Sequence, residues 1–461
     1  MDDDALPTLA IAGATGFVGR ALGAALRGRF RLVGLTRRPR PPDDIFHEYR
    51  SCDLFNLREA DEGLAGADYA VYLVHSMMPS ARLTQGSFAD MDLICADNFA
   101  RASQRAGVRQ IVYLGGLIPE GEALSPHLAS RLEVERTLGR YRTPLTALRA
   151  GLILGAGGSS FQILLRLVRR LPAMVCPAWT ETRTQPVALA DAVALLAFAI
   201  GNERCFGQSF DIGAPEPVTY RQMIKLLAEL DGTPRPLLRV PLLSPRLSRL
   251  WVSLVTGAPK ALVAPLVESL RHPMLARDLE LARLAGLPPT PVRAALAQAL
   301  ADLAGQEAAR PRAFVGAGDV KRHLVRSVQR MTLPAGRDAD WAAVEYARWL
   351  PRALRGLIRV DVDGNRTCRF FLALFGIELL VLTHSAARSS SDRQLYFISG
   401  GRLSRPAERG RFELRQLLDG RTLMTAIHDY EPRLPWLLYV VSQALFHLWV
   451  MRAFARHLRA S

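Results

Sequence analysis

The sequence predicts an α/β protein in which a doubly wound parallel sheet is followed by a smaller α+β domain. Between Thr8 and about Gly305, short apolar runs alternate with helical patterns, which is typical of βαβ units and a parallel sheet. A turn with three glycines, beginning at Gly13, directly follows the first apolar run. After Lys321 the apolar residues recur with a period of two, and this pattern indicates the strands of an antiparallel sheet.

The chain is long enough for two domains, since it has 461 residues and a single core rarely exceeds about 250–300 residues. The regular periodicity is lost around residues 303–320, which carry Gly, Ala, Pro and Arg. We therefore expect a first domain at residues 1–305, a linker at residues 306–321 and a second domain at residues 322–461.

Five strands with intervening helices are predicted in the first domain. The helices include Gly16–Arg27 and Asp92–Ala106. Residues 235–300 are rich in Leu, Pro and Arg, and we expect them to be helical and to form a lid or a substrate-side subdomain. The predicted strands are Leu9–Ala12, Arg31–Leu35, Tyr69–Val74, Gln110–Leu114 and Leu145–Leu148.

Seven strands and two helices are predicted in the second domain. One helix, Asp340–Arg355, follows the first strand, and a long helix, Leu434–Leu458, closes the chain. A run of strands closed by a long helix implies an antiparallel sheet curled around that helix. The predicted strands are His323–Met331, Ile358–Asp363, Arg369–Leu374, Glu378–His384, Gln394–Ser399, Glu413–Leu417 and Leu423–His428.

The composition limits the kinds of binding partner and the cellular compartment that we expect. The net charge is +16, and of the 59 basic residues only three are lysine. A positive balance favours anionic ligands or anionic membrane surfaces, but no RNA- or DNA-binding motif is present, so we expect no nucleic-acid partner. The five cysteines form no C-x-x-C pair, which argues against a disulfide scaffold and against a metal site. The acidic start of the chain does not resemble a secretory signal, and we expect a cytoplasmic protein.

The apolar stretch from Leu434 to Met451 has three interpretations. Its eighteen residues reach the lower limit for a membrane span, but Ser442, Gln443 and His447 interrupt it. Its tryptophans and the arginines that follow are also found in helices that anchor at a membrane surface. A helix buried in a soluble core explains the same pattern, and this third interpretation is the one we favour.

The strongest motif is a nucleotide-binding turn. Glycines stand at Gly13, Gly16 and Gly19, after an apolar strand and at the start of a helix. One glycine permits the tight turn, one lets the backbone approach a pyrophosphate, and one lets the helix pack on the strand. The phosphates then lie at the positive end of the helix. This pattern predicts a Rossmann-type dinucleotide site in which the whole turn takes part: Gly13, Ala14, Thr15, Gly16, Phe17, Val18 and Gly19.

The end of the second strand indicates which dinucleotide binds. An NAD site usually carries Asp or Glu there, but this strand ends in Thr36-Arg37-Arg38. Guanidinium groups suit the 2′-phosphate of NADP(H), so we expect NADP, with NAD less favoured. Asp53 follows a further strand that we expect between the second strand and Tyr69, and we expect it to accept a hydrogen bond from the adenine amine; Leu54 beside it is assigned to the cofactor site. For both features the alternative is an ordinary surface turn.

Residues 8–300 resemble an atypical short-chain dehydrogenase/reductase, of the NmrA-like and nucleoside-diphosphate-sugar-epimerase-like group, near the nucleotide-binding accessory subunit of respiratory complex I. This resemblance implies that Val74, His75 and Ser76 line the cofactor. It implies the same for Leu114, Gly115 and Gly116. The segments that carry it are Gly13–Gly19, Tyr72–Met77, Ile111–Leu117, Leu148–Gly151 and Gln185–Val187, with Asp191 beyond them.

The chain departs from that group at the catalytic residues. Short-chain dehydrogenases exchange a proton through a Tyr-x-x-x-Lys pair, but no lysine precedes Lys225 here. In the corresponding region stand His127 and Arg131, four residues apart and hence on one face of a helix. Either His127 is the proton donor and Arg131 holds an anionic group, or both are polar residues of a helix start without a catalytic role.

Residues 322–461 resemble an uncharacterised bacterial domain that is often fused behind such dehydrogenases, and their strand pattern is similar to the helix-grip fold of lipid- and polyketide-binding proteins. A sheet that grips a helix commonly encloses an apolar cavity, which suits a hydrophobic small-molecule ligand. The alternative is a packing or dimerisation module with a filled interior.

Three functions follow from these observations. The first is an NADP(H)-dependent oxidoreductase that acts on a hydrophobic or quinone-like small molecule. The second is a non-catalytic NAD(P)H-binding regulator or an accessory or assembly protein, which the missing Tyr-Lys pair favours. A lipid-binding protein of the membrane surface ranks third.

Overall fold

The computed structural model contains two compact units, and each is discontinuous in sequence. The first comprises residues 1–77 and 92–316, and the second comprises residues 78–91 and 317–461. A short segment from the first half of the chain thus belongs to the second unit, an exchange that the sequence analysis did not anticipate. The residues that the structure describes are 6–75, 81–121, 124–234, 236–240, 253, 255–257, 272–307, 321–405 and 409–461.

The described residues form the following elements. The strands are β1 (Thr8–Ala12), β2 (Arg31–Thr36), β3 (Glu48–Ser51), β4 (Tyr69–Tyr72), β5 (Ala81–Gln85), β6 (Gln110–Gly116), β7 (Leu145–Ala150), β8 (Ile153–Leu154), β9 (Met174–Pro177), β10 (Arg183–Thr184), β11 (Val187–Ala188), β12 (Ser209–Ile212), β13 (Val218–Thr219), β14 (Leu237–Val240), β15 (Lys321–Thr332), β16 (Ile358–Val362), β17 (Cys368–Leu372), β18 (Ile377–His384), β19 (Arg393–Gly400), β20 (Arg411–Leu417) and β21 (Thr422–Tyr430). The helices are α1 (Phe17–Leu26), α2 (Leu57–Leu64), α3 (Phe88–Arg105), α4 (Pro126–Leu138), α5 (Ser159–Arg170), α6 (Leu189–Ala199), α7 (Tyr220–Leu230), α8 (Glu280–Ala285), α9 (Val292–Glu307), α10 (Ala339–Ala353), α11 (Trp436–Val441) and α12 (Gln443–Ala460).

The first unit is built on a seven-stranded sheet in the order β12-β7-β6-β4-β1-β2-β3. All six neighbouring pairs are parallel. Its central strands are short apolar runs that are buried on both faces, as the all-parallel arrangement requires. Leu9 and Ile11 on β1, Leu22 on α1 and Leu32 on β2 have no exposed surface and belong to one core. The predicted doubly wound parallel sheet is confirmed.

A second core of the first unit lies beyond the main sheet. It joins α5, α7 and α9, with Phe161, Met223 and Leu296 at or near zero exposure. Two-stranded pairs, β8 with β11 and β9 with β14, flank it. Within residues 235–300, the described part is not uniformly helical as predicted, since it includes strand β14 beside helices α8 and α9.

The second unit is a mixed eight-stranded sheet in the order β16-β17-β18-β19-β20-β21-β15-β5. Strands β15 to β21 pair antiparallel, as predicted, whereas β5 pairs parallel with β15. Helices α10 and α12 pack on the sheet, and Trp349 and Phe454 from these two helices meet with ring centroids 5.2 Å apart. The predicted α+β second domain with a carboxy-terminal helix is confirmed.

The closing helix differs from the single helix predicted at Leu434–Leu458. It is two helices, α11 and α12, that meet at Ser442, whose φ of −123° and ψ of −83° are not helical. The Ser442 hydroxyl donates to the Leu438 carbonyl, and a side chain that bonds back in this way competes with the helical ladder.

The helix pair is buried on one face and exposed on the other. One face, which includes Val450, Met451, Phe454 and Leu458, is buried in the core. Among the described residues, Trp436–Ala460 is the one helical stretch long and apolar enough to cross a membrane. The exposed face of the pair carries Leu437 (80% exposed), Leu438, Val441, Leu445, Phe446 and Trp449.

Candidate functional site

The glycine turn has the geometry that its sequence predicts. Gly13 has a φ of +90°, a conformation that glycine adopts readily and residues with a Cβ adopt rarely. The Gly16 N–H donates to the Gly13 carbonyl (2.9 Å) and closes the turn. A Cβ on Gly19 would lie 2.2 Å from the same carbonyl oxygen. The third glycine therefore lets α1 approach β1, and the first two shape the turn.

The turn lies at the point where the sheet reverses its strand order. From β1 the chain proceeds outward to β2 and β3, and β4 then pairs with β1 on the other side. Ligands of doubly wound sheets bind in the crevice at the carboxyl ends of the strands beside such a reversal.

Helix α1 begins at that crevice without a side-chain cap. Gly16 is its N-cap, and its first turn carries no acidic residue. Thr15 and Gly16 are exposed, whereas Ala14 is buried. The arrangement offers backbone N–H donors and the positive end of a ten-residue helix to an anionic group.

A second glycine cluster packs against the turn, and sequence reasoning missed it. The Phe17 ring lies so close to Gly155 and Gly157 that a Cβ on either would lie 2.7 Å from it. Gly158, the N-cap of α5, would bring its Cβ to 3.2 Å from the same ring. The spacing Gly155-x-Gly157-Gly158 was the available signal.

Arg37 and Arg38 lie immediately beyond the carboxyl end of β2, next to the end of β1. Both side chains are exposed. The Thr36 hydroxyl donates to the Arg38 carbonyl (2.6 Å) and fixes the turn that carries them. Their location is compatible with the predicted contact to a 2′-phosphate.

Asp53 and Leu54 have well-defined structural partners. The Asp53 carboxylate accepts from the Phe55 N–H (3.3 Å), and the Asp53 N–H donates to Glu59 (2.9 Å). The Leu54 carbonyl accepts from the Asn98 side chain (2.7 Å). These contacts hold the loop before α2, and both residues are largely buried.

The residues assigned to the ends of the predicted strands Tyr69–Val74 and Gln110–Leu114 also lie at the crevice edge. Strand β4 ends at Tyr72 instead of Val74, so Val74 and His75 lie in the loop that follows it. Leu114, Gly115 and Gly116 are the last three residues of β6. Ser76 lies outside the described residues.

His75, Asp92, His127 and Arg131 form one cluster. The His75 Nδ1 lies 2.9 Å from the Asp92 carboxylate and 2.5 Å from the Arg131 guanidinium. Arg131 also donates directly to Asp92. The rings of His75 and His127 are 5.3 Å apart between centroids. Three elements, the loop after β4, α3 and α4, thus contribute to one site.

Arg131 has a partner within the protein, and its role toward an anionic group of the substrate stays a prediction. Its side chain is 9% exposed and is paired with Asp92, which is 1% exposed, so the guanidinium already holds an anion of the protein itself. Sequence reasoning missed Asp92. The burial of Asp92 on α3, which requires a partner for its charge, shows only in the structure.

Burial keeps both histidines of the cluster neutral at neutral pH. Desolvation and the Arg131 charge lower the pKa of His75. Desolvation, followed by the His75 and Arg131 charges, lowers the pKa of His127 to about 3. The His75 Nε2 is buried and has no partner among the described residues. A neutral imidazole donates one hydrogen bond and accepts another, and the role of His127 as a proton donor stays a prediction.

Helix α4, which carries His127 and Arg131, is fixed at both ends. The Ser125 hydroxyl accepts from the Leu128 N–H (3.3 Å), and Pro126 occupies the first helical position. Near the other end, Arg149 of β7 donates to both oxygens of Glu135 (2.9 and 2.5 Å). The described residues contain no group of three or more His, Cys, Asp or Glu arranged to hold a metal ion.

Residues 9–144 match the family model described as the NAD dependent epimerase/dehydratase family. A curated relative, "Auxiliary protein GraX" of Staphylococcus aureus (strain NCTC 8325 / PS 47), is 30% identical over 141 residues. The match covers 30% of this chain and 42% of the relative, so it spans less than half of that protein.

Solved structures with the same fold cover nearly two thirds of the chain. A nucleoside-diphosphate-sugar epimerase of Staphylococcus aureus has a TM-score of 0.51 at 17% identity and covers 63% of this chain and 99% of its own. The NADPH-dependent quinone oxidoreductase of Escherichia coli, complexed with NADPH, has a TM-score of 0.52 at 19% identity, covering 64% and 100%. The triphenylmethane reductase of Citrobacter sp. has a TM-score of 0.51 at 18% identity and covers 64% of this chain and 99% of its own.

At these identities the likeness concerns the fold. The amino-terminal part of the chain therefore has the fold of these epimerases and reductases, and its residues 9–144 match the NAD dependent epimerase/dehydratase family model.

Proposed function

We propose that the chain is an NADP(H)-dependent oxidoreductase that acts on a hydrophobic, quinone-like small molecule. The observation that carries the proposal is the turn at the strand-order reversal. At this turn a Cβ on Gly19 would clash with the Gly13 carbonyl, and helix α1 begins there without a side-chain cap. These residues fit a dinucleotide pyrophosphate, which needs close backbone approach and N–H donors.

NADP(H) is favoured over NAD(H) by the residues that follow β2. Arg37 and Arg38 are exposed, and the strand carries no carboxylate for a ribose 2′-hydroxyl. Two structural neighbours, the quinone oxidoreductase and the triphenylmethane reductase, are known in complexes with NADPH or NADP(H), which supports the same choice.

Bound NADPH supplies a hydride to the acceptor. The protein's contribution is to hold and orient the groups around it. Asp92 and Arg131 hold the His75 ring, and His127 lies against that ring at the start of α4. As a neutral ring, His127 has one N–H, which donates a hydrogen bond to an oxygen of the acceptor and is not transferred to it.

Acceptors of the quinone type suit a site without a strong proton donor. A reduced quinone carries its charge on a phenolate oxygen, and a phenol with a pKa of about 10 takes its proton from water at neutral pH. Reduction of an isolated ketone leaves an alkoxide, which is far more basic and needs a positioned acid. The neutral histidine cluster therefore favours the quinone over the simple carbonyl.

A non-catalytic NADPH-binding regulator or accessory protein is the second candidate. It is favoured by the absence of the Tyr-x-x-x-Lys pair and by the engagement of Arg131 with Asp92. The curated relative, described as an auxiliary protein, points in the same direction for a similar amino-terminal segment.

Anaerobic titration and turnover separate the two candidates. The full chain is titrated with NADPH and with NADH, and NADPH oxidation is then followed with benzoquinones, naphthoquinones and a matched panel of ketones and aldehydes. The oxidoreductase proposal expects tighter NADPH binding and turnover of quinones above carbonyls. NADPH binding with no turnover of any acceptor supports the regulator, and absence of binding contradicts both.

A further inference from the structure

The second unit contains an internal cavity that the proposed function does not use. Its volume is about 150 Å³, and it lies between the curved sheet and the helices α10, α11 and α12. Most of its lining consists of leucine, isoleucine, phenylalanine and tyrosine side chains from both layers. Phe446, which is 48% exposed, belongs to the lining, so the cavity approaches the surface beside this residue.

Two polar atoms in this lining are buried without a partner among the described residues. They are the Oε1 of Gln443 and the Nε2 of His447. The two residues are four positions apart on α12, so they share one face of the helix. Buried polar atoms in folded proteins are nearly always hydrogen-bonded, so this pair is an exception that requires a partner.

The orientation of the Gln443 amide follows from its neighbours. The Tyr430 hydroxyl donates to the Leu403 carbonyl (2.5 Å) and has no second proton to donate. It can therefore only accept from Gln443, and the Gln443 Nε2 is the atom that donates to it. The remaining atom of the amide, Oε1, is an acceptor that needs a donor.

The cavity selects against charge. None of the described side chains that line it is charged, and desolvation lowers the pKa of His447 to about 4, so this ring is neutral at neutral pH. An ion that entered such a lining would lose its hydration without gaining an opposite charge. The volume is that of an apolar protein cavity that holds one benzene ring.

We infer that this cavity binds a small uncharged molecule of about one ring, whose single hydroxyl group bonds to Gln443 and His447. The hydroxyl donates to the Gln443 Oε1 and accepts from the His447 Nε2–H. The ring packs against the leucine and phenylalanine side chains of the sheet. The site is independent of the glycine turn and does not depend on the proposed oxidoreductase activity.

Phenol is the probe that tests the inference, with benzene, benzoate and decanol as comparisons. Binding to the full-length protein is measured by saturation-transfer NMR and calorimetry without added dinucleotide. We expect phenol to bind about tenfold more tightly than benzene, because only phenol satisfies the buried acceptor. Benzoate is expected not to bind. Equal affinity for phenol and benzene, no binding of phenol, or tighter binding of decanol than of phenol would each overturn the inference.

Variants locate the site. Gln443→Leu should reduce phenol affinity about tenfold, to the level of benzene. Gln298→Leu is the matched control, since Gln298 is exposed on α9 in the first unit and donates to the Asp302 carboxylate (2.7 Å). Leu380→Trp, at a partly buried lining position, should exclude both phenol and benzene.

A stability measurement and a second variant control for loss of folding. Urea unfolding of each is compared with the wild type, and His447→Phe replaces Gln443→Leu if the latter does not fold. A folded Gln443→Leu or His447→Phe protein that keeps its preference for phenol, or a folded Leu380→Trp protein that binds phenol normally, contradicts the assignment.

Discussion

Asp92 on α3 and Arg131 on α4 form a buried ion pair, and 39 residues of chain separate them. The pair links the two helices on which the histidine cluster depends, and His75 contacts both partners. Two charges withdrawn from water stabilise a structure only while both are present, because either one alone is left without compensation.

Removal of one partner of this pair should therefore destabilise the first unit. We expect Asp92→Asn to lower the free energy of unfolding by about 3–5 kcal/mol, as is usual for a broken buried pair. The double variant Asp92→Leu with Arg131→Met should recover most of that loss, since no lone charge remains. Urea unfolding measures both. If the single variant is as stable as the wild type, the pair is not buried in solution.

The glycine turn should tolerate no side chain at its third glycine. Gly19→Ala places a Cβ against the Gly13 carbonyl, so α1 must move away from β1 and the crevice must change. We expect NADPH affinity, measured by fluorescence titration, to fall at least tenfold. Gly364→Ala is the control, because its added Cβ meets no atom within 4 Å. Unchanged affinity in Gly19→Ala would exclude this turn as the dinucleotide site.

Cofactor choice should depend on the two arginines after β2. Replacement of Arg37 and Arg38 by serine removes charge-assisted contacts of roughly 1.5–3 kcal/mol each, so NADPH binding should weaken on the order of tenfold or more. NADH binding should change little, since NADH lacks the 2′-phosphate. The control is Arg140→Ser with Arg142→Ser, an equal loss of charge at exposed positions before β7. Equal weakening of both cofactors would indicate general electrostatics instead.

His127 should contribute to turnover, but the pH dependence of kcat should show no histidine titration. Its pKa of about 3 means that the ring stays neutral and keeps its N–H throughout pH 5–8. We expect His127→Ala to lower kcat for a quinone about 10²-fold, comparable to loss of one oxyanion donor, with NADPH affinity unchanged. The wild-type kcat should show no step near pH 6.5. A variant with full activity, or a clear step at that pH, would remove this role.

The second unit should lose stability in mild acid through His428. Its ring is 1% exposed, and desolvation followed by the Arg411 charge lowers its pKa to about 3. In the unfolded chain the same group titrates near its usual value of about 6.5. Between these values the unfolded state binds more protons, so the free energy of unfolding falls as the pH falls, by up to about 1.4 kcal/mol per pH unit.

Urea unfolding at pH 7.5, 6.0 and 5.0 checks this dependence. His428→Asn should flatten the slope, even if the variant is less stable at every pH. His384→Asn is the control, because His384 is partly exposed and bonds to Gln394 (2.9 Å). If the slopes of wild type and His428→Asn coincide below pH 6.5, the ring is not buried in neutral form.

The parts of the fold that follow from local pattern were predictable. Strands β1 and β6 contain short apolar runs, and polar and apolar residues alternate along most of β20, so each carries its own signal. Strand β5 has no such signal. Its sequence, Ala-Arg-Leu-Thr-Gln, is short and polar, and only pairing with a strand 240 residues later makes it a strand.

The part of the site in which backbone geometry requires a particular residue type was predictable. The contacts between side chains that are distant in sequence were not. Gly13 and Gly19 are required by the turn itself, so their spacing identifies it. Asp92 is ordinary in sequence, and its importance arises only when α3 brings it to Arg131. The ion pair of Arg131 with Asp92 could therefore not be predicted from the sequence.

Strand β5 also has a consequence for how the protein can be divided. It forms one edge of the second unit's sheet and covers the long strand β15, with Gln85 bonded to Ser327 (3.0 Å) and to the Ala444 carbonyl (3.3 Å). A fragment of the second unit that begins after the predicted linker would lack β5. The twelve-residue strand β15 would then be an exposed edge strand, and its unpaired backbone groups could pair with a strand of another molecule. Such a fragment would self-associate, whereas one that supplies residues 78–91 through a short joining loop would stay monomeric.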